Sequence, residues 1–220
     1  MKIKLHFLIY LLLLTGCIEG KIVRQSQENQ ILVGDIKARL KNATSCCVDY
    51  SKFSYGDIQS KKRHEVVLGA SSSVYDFPFG KSRFQAYSLP RIEHGDSIVV
   101  TAIELYSGSK AKAIFRPRAF FVDKNYMPLA QQPTMAFDKF HMGATTEGHN
   151  SRIDLYPDYS EAKYLIIAAD PSFVGGNYTD RAGTRVIPAG GALIGMSIPE
   201  RKFPYGYEGK GFVTYETNRR

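Results

Sequence analysis

The hydrophobic pattern changes character three times along the chain. From Leu5 to Leu14 it is almost wholly apolar, behind a start that carries Lys2 and Lys4. From Ile18 to Asn29 it is polar and without a period. From Gln30 onward, Leu32, Val33, Ile36 and Leu40 fall at i, i+1, i+4 and i+8, which predicts one apolar helix face over 30–42. Gly34 weakens that helix by about 1 kcal/mol relative to alanine. Everything further reads as short strands. Glu65–Leu68 comes first, then Val74–Phe77 and Arg83–Leu89 on either side of Pro78-Phe79-Gly80-Lys81, a hairpin or bulged turn. Ser97–Tyr106 begins apolar on both faces, Ala119–Val122 runs into the turn residues Asp123-Lys124-Asn125, and Tyr164–Ala169 is uninterrupted. Ala192–Ile198 and Gly211–Thr217 close the series. About eight or nine strands without βαβ alternation predict an all-β sandwich or jelly roll preceded by a short helix. Residues 30–220 read as a single domain, and Phe77–Gly80 and Phe203–Gly206 share a Phe-Pro-aromatic-Gly order too short to be a repeat.

The first segment is a targeting signal. A basic start, an apolar stretch and a small-residue exit make a secretory signal peptide over 1–16, too short to span a bilayer. The exit, Leu14-Thr15-Gly16-Cys17, resembles a bacterial lipobox, which implies that Cys17 is acylated and becomes the mature N-terminus. Two or more acyl chains, at about 0.8 kcal/mol per buried methylene, give stable anchoring. Residues 17–29 would then be a lipidated tether reaching about 20 Å from the bilayer. Ile18 follows the cysteine where an inner-membrane retention signal would place Asp, so the expected location is the periplasmic side of the outer membrane.

Composition adds limits. The 220 residues are 44% hydrophobic and 23% charged, which excludes general disorder, a coiled coil and a polytopic membrane protein. Three Cys make no disulfide framework. Cys46-Cys47 reads as two small buried residues, as a vicinal bridge strained because adjacent Cα atoms lie closer than ordinary disulfides require, or as an intermolecular link or reactive thiol. Motifs for zinc hydrolysis, a serine nucleophile, a phosphate loop or a dinucleotide are absent from the sequence. His94-Gly95-Asp96 and His149–Asp154 could each put an imidazole near a carboxylate, with a solvated loop histidine as the plainer reading of both. Asp123, Asp138, Asp154 and Asp170 are candidate carboxylates for sugar hydrolysis, with turn roles as the plainer reading. The expectation is a non-enzymatic protein without a cofactor.

Two patterns point to binding. Across Lys110–Arg118 the cations Lys110, Lys112, Arg116 and Arg118 occupy even positions, while Ala111, Ala113 and Phe115 are odd. In an extended chain that puts four cations on one face, fit for a lipid headgroup, polyanion or envelope partner, or simply a solvated sheet face. Pro117 implies an edge or an interruption there. Lys61-Lys62-Arg63 is a second basic run and reads as a loop. The charge of +8 falls to +6 without Lys2 and Lys4, and export removes nucleic acid as a partner. Tyr75, Tyr87, Tyr106, Tyr126 and Tyr205 are candidate sugar-stacking walls, or else cross-strand packing; the chain has no Trp.

The succession Cys46-Cys47, Asp76-Phe77-Pro78-Phe79-Gly80-Lys81-Ser82, Ala86-Tyr87-Ser88-Leu89-Pro90 and Asp123-Lys124-Asn125-Tyr126-Met127-Pro128 resembles the maltose operon periplasmic protein (MalM) family, and the resemblance runs from about Ile31 to Thr217. The resemblance implies a periplasm-facing accessory protein associated with carbohydrate (maltodextrin) transport, with no established enzymatic activity and no residues to carry over. The lipobox and the ending soon after the sandwich depart from the best-known members. The alternative is a structural component of a cell-envelope assembly, docking a protein or anionic partner through the basic face.

Overall fold

The computed structural model describes residues 34–217, apart from 104–105, 108–109, 112–113, 143–145, 175, 181–182, 190–191 and 199–200. The expected signal peptide, Cys17 and the tether lie outside the described residues, as do Leu32 and Val33 of the expected helix.

Helix α1 covers residues 34–42 and buries Ile36 and Leu40 against Val74 and Tyr207. A 3-10 turn at Tyr50–Lys52, capped by Asp49, leads into β1 (Tyr55–Asp57), β2 (Arg63–Leu68), β3 (Val74–Phe77), β4 (Gly80–Ser88) and β5 (Ser97–Ile103). Next come β6 (Tyr106–Ser107), β7 (Lys110–Ala111), β8 (Ile114–Phe115), β9 (Pro117–Val122), β10 (Asp138–Met142) and β11 (Thr146–Asp154). After β12 (Tyr164–Ala169) and a 3-10 turn at Pro171–Phe173 follow β13 (Asn177–Asp180), β14 (Gly183–Ala189), β15 (Ala192–Ile198), β16 (Arg201–Gly206) and β17 (Gly209–Glu216). The count exceeds the sequence expectation because several strands are two or three residues long or rich in polar residues.

The expected all-β sandwich with a short leading helix is what the chain forms. One five-stranded sheet runs β1-β4-β12-β9, with β3 added to β4; the other runs β10-β11-β5-β17-β2. Outside them, β13-β16-β8, the β14–β15 hairpin and the β6–β7 pair form smaller sheets. Period-two burial makes the interface. Ile98, Val100 and Ala102 of β5, with Val213 and Tyr215 of β17, meet Leu165, Ile167 and Ala169 of β12 and Ala119 and Phe121 of β9. The β3–β4 turn is tight, with Phe77 opposite Gly80. Gly80 sits at φ 117°, where a side chain would be strained and would press on Pro171. The second Phe-Pro-aromatic-Gly stretch lies inside β16 instead, so the two are not a structural repeat.

β12 explains its own unbroken hydrophobicity. Leu165, Ile167 and Ala169 face the sandwich interior, while Ile166 and Ala168 face the opposite side, where a second, largely aromatic cluster covers them. That cover positions the candidate site.

Candidate functional site: an aromatic sheet face ending in an arginine cleft

Alternation along β9 sends Ala119 and Phe121 inward and Arg118, Phe120 and Val122 to the outer face of the first sheet. Phe84 and Ala86 of β4 and Ile166 and Ala168 of β12 share that face. Residues from outside the central strands cover it. Phe53 stacks on Phe84 with ring centroids 4.2 Å apart, Tyr50 lies 5.6 Å from Phe120, and Phe77 stacks on Phe79 at 4.8 Å with planes 6° apart. Tyr75 meets Phe53 edge-on at 4.9 Å. Such offset and edge-to-face pairs each contribute about 0.5–1.5 kcal/mol beyond their buried area.

At one end of this face, three half-exposed tyrosines come together. Tyr55 is 4.3 Å from Tyr164, and Tyr126 is 4.9 Å from Tyr164. The Tyr164 hydroxyl donates to that of Tyr126 at 3.1 Å, and the Tyr55 hydroxyl donates to the Tyr50 carbonyl at 2.8 Å. Tyr126 closes the turn after β9. The Asp123 carboxylate accepts from the Asn125 and Met127 N–H groups, both at 2.8 Å, and the chain passes Tyr126 at φ 62°. A tyrosine in left-handed backbone is uncommon, and here it lays the ring against Tyr164. The hydrogen bond with Tyr126, then burial, raises the Tyr164 pKa; burial, then Tyr75, pushes Tyr50 up to about 12. These hydroxyls stay neutral hydrogen-bonding groups.

Cys46 and Cys47 form a vicinal disulfide, with Cα atoms 3.7 Å apart. Cys46 is exposed and donates its N–H to the Val74 carbonyl at 2.8 Å, while Cys47 packs on the aromatic cluster. Of the readings open in the sequence, the pair of small buried residues is therefore not the one found.

The other end of the face carries arginines. Arg118 lies over the Phe79 ring at 4.5 Å, and its Nη1 is 3.4 Å from the Asp170 carboxylate. Asp170 also caps the Pro171–Phe173 turn, accepting from the Ser172 N–H at 3.0 Å and hydroxyl at 2.6 Å. Arg116, between β8 and β9, lies over Phe173 at 3.7 Å and 5.4 Å from Phe137. It lines two cavities, of about 120 Å³ with Phe115, His149 and Tyr205, and of about 160 Å³ with Thr134, Met135 and Asp170.

The expected basic stripe thus breaks into β7, β8 and β9, with β9 at the sheet edge. Arg116 and Arg118 share the outward side and lie against rings; the side chains of Lys110 and Lys112 lie outside the described residues. Of the candidate tyrosines, Tyr75 and Tyr126 belong to the aromatic face, whereas Tyr87 is buried in the sandwich and donates to the Glu65 carbonyl at 3.3 Å. Tyr205 packs 5.9 Å from Phe173, and the Tyr106 side chain lies outside the described residues. Tyr50, Tyr55, Tyr164 and Phe79 were not singled out in the sequence, and only their high aromatic frequency hinted at them.

Three of the four candidate carboxylates are engaged separately, and the fourth, Asp138, is exposed at the start of β10. Asp123 holds its turn, Asp154 is exposed and pairs with Arg152, and Asp170 pairs with Arg118. Asp96 is buried and accepts from the Tyr215 hydroxyl and the Glu93 N–H, while His94 lies against Tyr156. His149 is buried in β11 rather than in a loop. Arg63 of the second basic run sits in β2, over the Phe212 ring at 4.9 Å. Among the described residues no three His, Cys, Asp or Glu side chains converge on a metal position, and no helix is long and apolar enough to cross a membrane.

No protein-family model, curated protein or solved structure matches the chain.

Proposed function

We propose that the chain is a non-enzymatic accessory protein, similar to the maltose operon periplasmic protein family and held by a lipid at Cys17 on the periplasmic side of the outer membrane. Its role is to bind maltodextrin at the half-exposed tyrosine end of the aromatic outer face of the first sheet. The observation that carries the reading is the Tyr55–Tyr126–Tyr164 group: three half-exposed rings at the edge of the first sheet, with their hydroxyls beside them. Apolar C–H faces of a sugar pack on such rings, and the hydroxyls offer the few polar contacts that orient a ligand.

Thermal unfolding of the full chain in detergent tests this, with and without maltodextrin. A ligand at about 100 times its dissociation constant adds about 2.7 kcal/mol, which raises the midpoint by about 5–10 °C. A shift that unrelated sugars do not produce supports the reading, and no shift overturns it.

The alternative, an envelope component docking through a basic face, draws support, among the described residues of the stripe, from Arg116, because Arg118 pairs with Asp170.

A further inference from the structure

We propose that the cleft at Arg116 binds the carboxylate of an acidic sugar, a hexuronate unit. The inference rests on reading the chain as a carbohydrate-binding protein and adds a second, charged subsite to it.

Stacking on Phe173 at 3.7 Å fixes the plane of the Arg116 guanidinium, with Phe137 on the same group at 5.4 Å. A guanidinium held flat against a ring keeps its N–H donors around the rim of its own plane, the geometry that grips a carboxylate through two parallel hydrogen bonds. Arg116 lines both cavities, so those donors have open space beside them. Among the described residues no carboxylate pairs with Arg116; the nearest acid in the cleft, Asp170, is held by Arg118 and Ser172.

Charge selects the ligand. With Arg118 and Asp170 cancelling, the described residues of the cleft keep one unopposed positive charge, Arg116, which matches a monoanionic carboxylate better than a phosphate dianion. Size and lining select it further. The larger cavity, about 160 Å³, offers Phe137 for a ring face and Thr134 for a hydroxyl. That is the inventory for one sugar unit.

Calorimetric titration of the full chain in detergent tests this with four probes: digalacturonate, maltodextrin, inorganic phosphate and a short peptide with a free C-terminus. Digalacturonate is expected to bind most tightly of the three anions. Arg116→Gln is expected to weaken it by about 10- to 100-fold, the usual effect of losing a charge-assisted pair. Arg116→Lys, which keeps the charge without the flat fork, is expected to fall between. Unfolding midpoints of both variants check that the fold is intact. Asp170→Asn adds a second positive charge and is expected to move preference towards phosphate. Digalacturonate binding that ignores Arg116→Gln overturns the inference, as does tighter binding of phosphate or peptide by the native chain. If maltodextrin binds and digalacturonate does not, the cleft proposal falls and the aromatic-face reading stands. If only digalacturonate binds, through Arg116, the reverse holds.

Discussion

Tyr126 and Tyr164 lie ring against ring, 4.9 Å apart and 12° from parallel, with hydroxyls 3.1 Å apart. Tyr126 reaches that position at φ 62°, so backbone strain is balanced by stacking. Tyr126→Ala keeps the strain and loses the ring, and is expected to cost about 1–2 kcal/mol in urea unfolding. Tyr126→Gly also loses the ring but relieves the backbone, so it is expected to be about 1 kcal/mol more stable than Tyr126→Ala. Equal stability of the two variants would show that the turn carries no strain.

Alkaline unfolding follows from the buried phenols. Burial pushes Tyr50 and Tyr87 up to about 12, from an ordinary 10.0. The unfolded chain gives up these protons first, so their contribution is fully present below the ordinary value and is lost as pH rises towards the folded one. Urea midpoints are expected to hold steady up to about pH 10 and then fall steeply towards pH 12. Tyrosinate absorbance should show a late-titrating group in the native protein. Titration of every tyrosine together near 10 in a folded chain would contradict the burial.

Arg83 is a buried cation, 4% exposed, in β4. Its Nε lies 3.2 Å from Glu208, and its Nη1 donates to the Ala70 and Ser72 carbonyls at 3.0 and 3.2 Å. Arg83→Ala leaves Glu208 and two carbonyls without a partner and is expected to cost about 3–5 kcal/mol. Joint replacement by Arg83→Met and Glu208→Leu should recover part of that loss, measured as a rise in the urea midpoint over Arg83→Ala.

Gly211 of β17 lies against β5, where a Cβ would run into the Thr101 carbonyl oxygen. Backbone cannot step aside as a flexible side chain can. Gly211→Ala is therefore expected to cost at least about 1–3 kcal/mol, while Gly69→Ala, with open space around it, is expected to leave the midpoint within about 0.5 kcal/mol.

Strands with a dense apolar pattern were legible in the sequence. Val74–Phe77, Tyr164–Ala169 and Ala192–Ile198 have the expected bounds, because their apolar positions and flanking turn residues agree. β11, Thr-Glu-Gly-His-Asn-Ser-Arg-Ile-Asp, was not legible. It has no β-branched run, and it is a strand because β10 and β5 pair with it on both sides. The aromatic face was hidden for a different reason. Phe53 and Tyr55 precede the main strands, Tyr126 comes from a turn, and Tyr164 begins a strand; nothing in their spacing says that they meet. The outward side shared by Arg116 and Arg118 follows from period two, but their aromatic partners, Phe173 and Phe79, come from distant turns.

The most direct test of the account is calorimetric titration of the full chain in detergent with maltodextrin, repeated for Tyr164→Ala and Tyr87→Phe. The account predicts saturable binding by the native chain, weakened about tenfold by Tyr164→Ala, a factor equal to about 1.4 kcal/mol, and unchanged by Tyr87→Phe in the buried core. No binding by the native chain, or binding that Tyr164→Ala leaves intact, would contradict it.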